Sequence, residues 1–118
     1  MNPLSFVLGL SVTDLDRSIA WYRQVFGLGD VDIQPVEGIV EFQYGPIWLQ
    51  LVHADSTPAG AKAVANFQVA DVGAERDRLA HLGVEVGPLM HVPEAVDYIE
   101  FDDPDGNAFV LHSLNGTD

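Results

Sequence analysis

The sequence predicts an α+β fold built from two tandem βαβββ modules. Three observations predict it: a repeated Val-x-Asp-aliphatic pattern, an apolar helical stripe after each copy of that pattern, and a strand hairpin after each stripe. The copies lie at residues 12–15 and 69–72, so that Asp71 follows Asp14 by 57 residues in a chain of 118. Half of the chain therefore repeats the organisation of the other half.

Each copy is predicted to run from a strand into a helix. The segments before the two aspartates alternate large apolar residues with smaller or polar ones, which is typical of strands. Apolar residues then recur at three- and four-residue spacing and stop at Gly27 and at Gly83, which predicts helices. We expect Asp14 or Asp16, and Asp71, to cap the first turns of these helices.

A hairpin is predicted to close each copy. Residues 39–43 and 47–52 flank a turn at Tyr-Gly-Pro, and residues 96–101 and 108–112 flank the acidic turn Asp-Pro-Asp-Gly-Asn. Proline fixes φ, glycine tolerates positive φ, and Asp and Asn bond to the nearby backbone, as a tight reversal requires. The acidic turn is therefore expected to be structural.

The modules are too short to be independent domains, since each has fewer than 60 residues. We expect one domain, 1–118, in which the two sheets form a curved mixed sheet around a central cleft, with the helices on the outer face. Short strands near 30–33 and 84–86 would complete the modules. The repeat units are residues 4–53 and 63–113, and residues 54–62 form the polar joint between them.

Charge and composition exclude several classes of function. The chain has 18 acidic and 5 basic residues, a net charge of −13, which disfavours binding to nucleic acid or to anionic membranes. It has no cysteine, so disulfides and thiolate metal sites are excluded. With no apolar run of membrane-spanning length and no signal-peptide pattern, a cytoplasmic protein is expected.

Three stretches of the sequence resemble the vicinal oxygen chelate superfamily. They are Val-Thr-Asp-Leu-Asp-Arg-Ser-Ile-Ala-Trp-Tyr at 12–22, Phe-Gly-Leu at 26–28 and Asp-Pro-Asp-Gly-Asn at 103–107. That superfamily includes glyoxalase, ring-cleaving dioxygenases, fosfomycin-resistance enzymes and bleomycin-resistance proteins. The resemblance covers nearly the whole chain and specifies a fold, but not an activity.

The resemblance also implies where a metal would be held. Metal-dependent members place His, Gln or Glu at four inward strand positions, which correspond here to Val7, Gln50, Val64 and Val110. Three of these are valines, and a metal needs several oxygen or nitrogen donors. We therefore expect no metal ligands and no cofactor, and the chain is closest in character to metal-free bleomycin-resistance-type members.

Strand parity sorts the other side chains between a core and a cleft. Alternate strand positions carry the large apolar residues that we expect to face the helices: Phe6, Leu8, Leu10, Phe42, Leu49, Leu51, Phe67, Ile99, Phe101, Phe109 and Leu111. The opposite positions carry aromatic and hydrogen-bonding residues, a mixture typical of small-molecule pockets. The predicted ligand-binding residues are Glu41, Trp48, Gln50, Asn66, Gln68, Tyr98, Glu100 and His112.

The first functional hypothesis is a metal-free protein that sequesters a small aromatic or cationic molecule, as a homodimer by resemblance. The alternative is a lyase, isomerase or dioxygenase-type enzyme. It would use either a metal held by non-standard ligands, or Glu100 or His112 as an acid-base catalyst. Glu41 and Glu100 occupy equivalent positions in the repeat and would face each other in such an enzyme. A third reading has the cleft filled by a partner subunit. These alternatives remain open at the level of sequence.

Overall fold

The computed structural model describes residues 1–56 and 64–115, and it divides the chain into two compact units, Met1–Pro58 and Ala59–Asp118. The first unit contains β1 (Val7–Val12), α1 (Leu15–Val25), β2 (Ile33–Val36), β3 (Ile39–Tyr44) and β4 (Ile47–His53). The second contains β5 (Val64–Gln68), α2 (Val72–His81), β6 (Met90–Val92), β7 (Val96–Asp102) and β8 (Ala108–Leu114). The α+β class and the two βαβββ modules are confirmed. Most of the predicted joint, 54–62, lies outside the described residues.

The helices begin and end where their local sequence predicts. The Asp14 carboxylate accepts a hydrogen bond from the Arg17 N–H at 3.1 Å, and Asp71 caps α2 in the same way. Gly27 and Gly83, just past the helix ends, have φ values of +69° and +85°, a conformation that side chains with a Cβ rarely adopt. Over the described ranges, no helix is both long and apolar enough to cross a membrane.

Each unit has its own four-stranded mixed sheet. The strand orders are β1-β4-β3-β2 and β5-β8-β7-β6. In both sheets the first strand of the module pairs in parallel with the last, while the hairpin strands pair antiparallel. The two sheets therefore repeat one topology. The cleft predicted between the modules stays a prediction.

The core of each unit lies between its helix and one face of its sheet. α1 packs on β4, and α2 packs on β7 and β8. The strand residues buried there have the parity predicted for the core: Val40, Phe42, Leu49, Leu51, Ile99, Phe101, Phe109 and Leu111. Burial of each large apolar side chain stabilises the fold by about 1.5–3 kcal/mol. These buried residues therefore determine which face of each sheet packs on its helix and which face remains open.

Three sequence predictions about the sheets were wrong. Phe6 is 58% exposed rather than in the core, because it lies before the first ladder residue of the edge strand β1. The strand expected at 30–33 begins at Ile33, since the Asp32 carboxylate accepts the Gln43 N–H at 2.8 Å at that point. Residues 84–86 contribute only an isolated bridge from Val86 to Phe101, and the edge strand β6 follows later.

Candidate functional site

The open face of the second sheet carries most of the predicted site residues in adjacent rows. One row runs across four strands through Met90, Tyr98, His112 and Gln68. The next row runs through Glu100, Val110 and Asn66. Because neighbouring strands lie about 4.8 Å apart, side chains on adjacent strands of a row are within contact distance of each other. The fold thus brings Tyr98, Glu100, His112, Asn66 and Gln68 onto one surface.

A cavity of about 160 Å³ lies at the β6 side of this surface. It is lined by Gly87, Pro88, Met90, Tyr98 and Glu100. The walls combine an aromatic ring, a thioether and a proline ring with one carboxylate, the mixture of apolar surface and few polar groups that small-molecule sites have. Tyr98 and Glu100 were predicted from strand parity, and they are the two residues that give this cavity its chemical character.

The loop at Gly87, which forms one wall of the cavity, is held by hydrogen bonds on both sides. The Arg76 Nε–H of α2 donates to the Gly87 carbonyl at 2.8 Å, and the Gly87 N–H donates to the Glu100 carbonyl at 2.9 Å. Sequence reasoning missed Gly87, Pro88 and Met90 because it placed a strand before them. The Gly-Pro dipeptide was the available signal, since it marks a turn or loop rather than a strand.

Glu100 also borders a second, acidic cavity of about 390 Å³. Its other lining residues are Glu85, Phe101, Asp102 and Asp103. The Asp103 carboxylate belongs to the hairpin turn, where it accepts the backbone N–H groups of Asp105 and Asn107. Several carboxylates therefore surround Glu100, which makes the local potential negative.

His112 makes a short side-chain hydrogen bond across the sheet. Its Nδ1 lies 2.6 Å from Oδ1 of Asn66, on the neighbouring strand β5. Asn66 is directly opposite Val110 in the register, so the bond runs diagonally between the two rows. The sequence placed both residues on this face, but it did not predict that they bond to each other.

In the first unit, the open face carries Trp48, Glu41 and Gln50. Gln50 donates from Nε2 to Oε2 of Glu41, its register partner, at 2.8 Å. A Cβ at Gly9 would lie 3.3 Å from Gln50 Oε1, so the absence of a side chain at Gly9 leaves room for this carboxamide. Trp48 is half-buried in the next row, opposite Gln43. The predicted approach of Glu41 to Glu100 stays a prediction.

The residues at the four metal positions do not fit a metal. Val7, Val64 and Val110 offer no donor atom, so Gln50 alone would supply a single amide oxygen. Across residues 1–56 and 64–115, no three His, Cys, Asp or Glu side chains are grouped so that they could hold a metal ion. Because a metal site needs several converging donors, we derive no chemistry through a metal.

A separate polar cluster lies at the start of β7, on the parity that faces α2. His91 Nδ1 lies 2.5 Å from Asp97 Oδ1, and the Asn115 Nδ2 amide donates to the same oxygen at 2.7 Å. The hydrogen bond with His91 has the larger effect and that from Asn115 adds to it. Together they hold the pKa of Asp97 below its usual value. Sequence reasoning assigned no role to His91, since the cluster also needs Asn115, which is distant in the chain.

The Asp97 cluster should make stability depend on pH in the acidic range. Because the pKa of Asp97 is lower in the folded state than in the unfolded chain, its stabilising contribution is present above about pH 4 and is lost as the pH falls through the folded value. We expect Asp97→Asn to have a lower urea midpoint than the wild type at neutral pH. The two midpoints should converge on acidification, and a pH-independent difference would contradict this account.

Comparison with known proteins agrees with this architecture. Residues 5–111 match the Glyoxalase/Bleomycin resistance protein/Dioxygenase superfamily, and the chain belongs to that family. No curated protein matches the sequence significantly.

Among solved structures, lactoylglutathione lyase from Agrobacterium tumefaciens is similar with 25% identity and a TM-score of 0.76, covering 95% of both chains. The fosfomycin resistance protein FosX from Listeria monocytogenes, in a complex with Mn(II) and sulfate, has 25% identity and a TM-score of 0.78, over 98% of this chain and 92% of that one. A Nocardioides glyoxalase/bleomycin resistance protein/dioxygenase has 18% identity and a TM-score of 0.83, over 100% and 87%. The last of these likenesses concerns the fold alone.

Proposed function

We propose that this protein binds a small aromatic cation without the help of a metal, and that the 160 Å³ cavity of the second unit receives the cationic group. The observation that carries the proposal is that Tyr98 and Glu100, which share one face of β7, both line one small apolar cavity. A cation over an aromatic face gains about 0.5–2 kcal/mol, and a nearby carboxylate adds Coulomb attraction. A neutral ligand would gain neither the attraction to the aromatic face nor the Coulomb attraction to the carboxylate.

The charge of the whole chain supports the same ligand class. A net charge of −13 raises the local concentration of cations and speeds their association. The acidic cavity beside Glu100 concentrates part of that charge near the proposed site. Selectivity among cations would then come from Tyr98, Met90 and Pro88, because they set the shape of the apolar walls.

In the first unit, Glu41, Trp48 and Gln50 form a separate surface, which we propose also suits an aromatic ligand. Trp48 supplies the aromatic plane, and the Gln50–Glu41 hydrogen bond fixes the polar groups beside it. The homodimer that the family resemblance implies is also part of the proposal. The enzymatic alternative is favoured by one observation, the hydrogen bond that orients His112.

The test uses tyramine and tyrosol, which differ only by an ammonium group in place of a hydroxyl. We expect tyramine to bind about tenfold more tightly in isothermal titration calorimetry, because only the ammonium gains from the ring and the carboxylate. Tyr98→Leu, which keeps apolar volume but removes the ring, should weaken tyramine about threefold to tenfold. Glu100→Gln should weaken it about twofold to fivefold, since the carboxylate is exposed.

A matched control separates a local effect from a change in net charge. Glu94→Gln removes one negative charge from the turn between β6 and β7, outside the residues that line the cavity. It should leave tyramine affinity unchanged. Equal affinities for tyramine and tyrosol, or equal losses in Glu94→Gln and Glu100→Gln, would overturn the assignment of the cavity.

A further inference from the structure

The hydrogen bond between His112 and Asn66 determines which ring nitrogen of His112 carries the proton. Oδ1 of Asn66 lies 2.6 Å from Nδ1, and an amide oxygen only accepts hydrogen bonds. Nδ1 therefore carries the proton, and Nε2 keeps its lone pair on the other side of the ring. Within residues 64–115 the His112 side chain makes no other hydrogen bond, so no partner there occupies Nε2.

This acceptor lies beside the proposed cation cavity. His112 is the register partner of Tyr98, and Tyr98 lines the cavity on its β6 side. Strands are spaced by about 4.8 Å, so the acceptor is one to two strand spacings, about 5–10 Å, from the cationic group of a ligand in the cavity. Tyr98 lies on the strand between β6 and β8, and its ring would offer an apolar surface to the body of the ligand.

We propose that the ligand carries a hydroxyl or N–H donor as well as its cationic group, and that this donor bonds to Nε2 of His112. Asn66 is then a positioning residue, because it holds the imidazole in the tautomer that accepts. The inference rests on the proposed function and narrows it to aromatic amines with a second, uncharged donor. It explains why a polar histidine lies in the same row as the aromatic wall.

The test compares tyramine with its O-methyl ether, 4-methoxyphenethylamine. Both have the ammonium group and the ring, but only tyramine can donate a hydrogen bond from its far end. We expect wild-type protein to bind tyramine about threefold to tenfold more tightly, the usual net effect of one hydrogen bond. His112→Phe keeps a ring of similar size without the acceptor and should bind both amines equally.

Two further variants separate positioning from structure. Asn66→Leu should also abolish the preference for tyramine, while His112→Gln, which retains an acceptor oxygen, should keep part of it. His81→Gln is the matched control, because His81 is exposed in the last turn of α2. It should leave the preference unchanged.

The tautomer is measured directly on the free protein. Long-range ¹H–¹⁵N correlation spectra should show Nδ1 of His112 protonated in the wild type, in buffer alkaline enough to keep an imidazole neutral. In Asn66→Leu this preference for Nδ1–H should be lost. A wild-type His112 protonated at Nε2 would overturn the inference, whatever the affinities.

The binding outcomes distinguish this inference from the proposed function. Equal affinity for the two amines, with both tighter than tyrosol, would overturn the role of His112 and leave the cation cavity in place. A preference for tyramine that persists in His112→Phe would also overturn it. If neither amine binds, the proposed function and this inference fall together.

Discussion

Replacing Asp103 with alanine should lower the free energy of unfolding by about 2–4 kcal/mol, because the carboxylate holds the turn of the β7–β8 hairpin together. Its Oδ1 accepts the backbone N–H groups of Asp105 at 2.9 Å and Asn107 at 2.8 Å, and its Oδ2 accepts the Asn107 side-chain amide at 2.8 Å. Only 5% of the residue is exposed. Alanine would leave these part-buried donors without their charged acceptor.

Urea denaturation of Asp103→Ala and of Asp102→Ala checks this expectation. Asp102 is the exposed neighbour of Asp103, so its substitution should change stability by no more than about 0.5 kcal/mol. Equal effects of the two substitutions would contradict a structural role for the turn. The expected difference would show that Asp103 has a structural role in the Asp-Pro-Asp-Gly-Asn turn.

Replacing Phe109 with alanine should cost about 3–5 kcal/mol, the range measured when a large buried aromatic side chain is removed. Phe109 is 1% exposed, and its ring lies nearly parallel to those of Phe101, at 5.5 Å, and Phe67, at 6.3 Å between centroids. A cavity between these rings cannot be refilled without moving β7 or β5. A loss of this size approaches the whole stability of many small domains.

The comparison with Val110→Ala makes the Phe109 experiment informative about the site. Val110 is the next residue in β8 and lies half-buried on the open face, so we expect its truncation to cost less than about 1.5 kcal/mol. A reversed order of the two effects would mean that β8 presents its other face to the core. The metal position would then no longer correspond to Val110, although its neighbours Phe109 and Leu111 also offer no donor atom.

The parts of the fold that the sequence predicted depend on local chemistry. Asp14 and Asp71 bond to backbone groups three residues away, and Gly27 and Gly83 adopt positive φ just past their helices. Strand alternation then placed the buried and open faces correctly along the hairpin strands. Such features involve neighbours in the chain, so the residue order alone specifies them.

The parts that the sequence missed depend on contacts between distant residues. The start of β2 reflects a bond from the Gln43 N–H to Asp32, and the loop at Gly87 is held by Arg76. The cavity wall was missed for the same reason. No single-sequence pattern reports such contacts, since they require the register of strands that are brought together only by folding.

For the candidate site, strand parity predicted which residues lie on the open face, but not which of them bond to each other. Asn66 and His112 were both expected on the open face of the sheet, yet their hydrogen bond depends on the offset between β5 and β8. The inferred role of Nε2 as an acceptor rests on that hydrogen bond. The chemical role that we infer for His112 therefore comes from the structure, whereas its place on the surface follows from the sequence.

The most direct test of the central claim, that this chain binds an aromatic cation without a metal, is a tyramine titration of protein dialysed against EDTA. The titration is then repeated with added Mn²⁺, Zn²⁺ or Ni²⁺, and metal retained after desalting is measured by elemental analysis. We predict the same tyramine affinity in every case and no stoichiometric metal, because Val7, Val64 and Val110 offer no donor atoms. Stoichiometric retention of one metal, with tyramine binding only in its presence, would contradict the account.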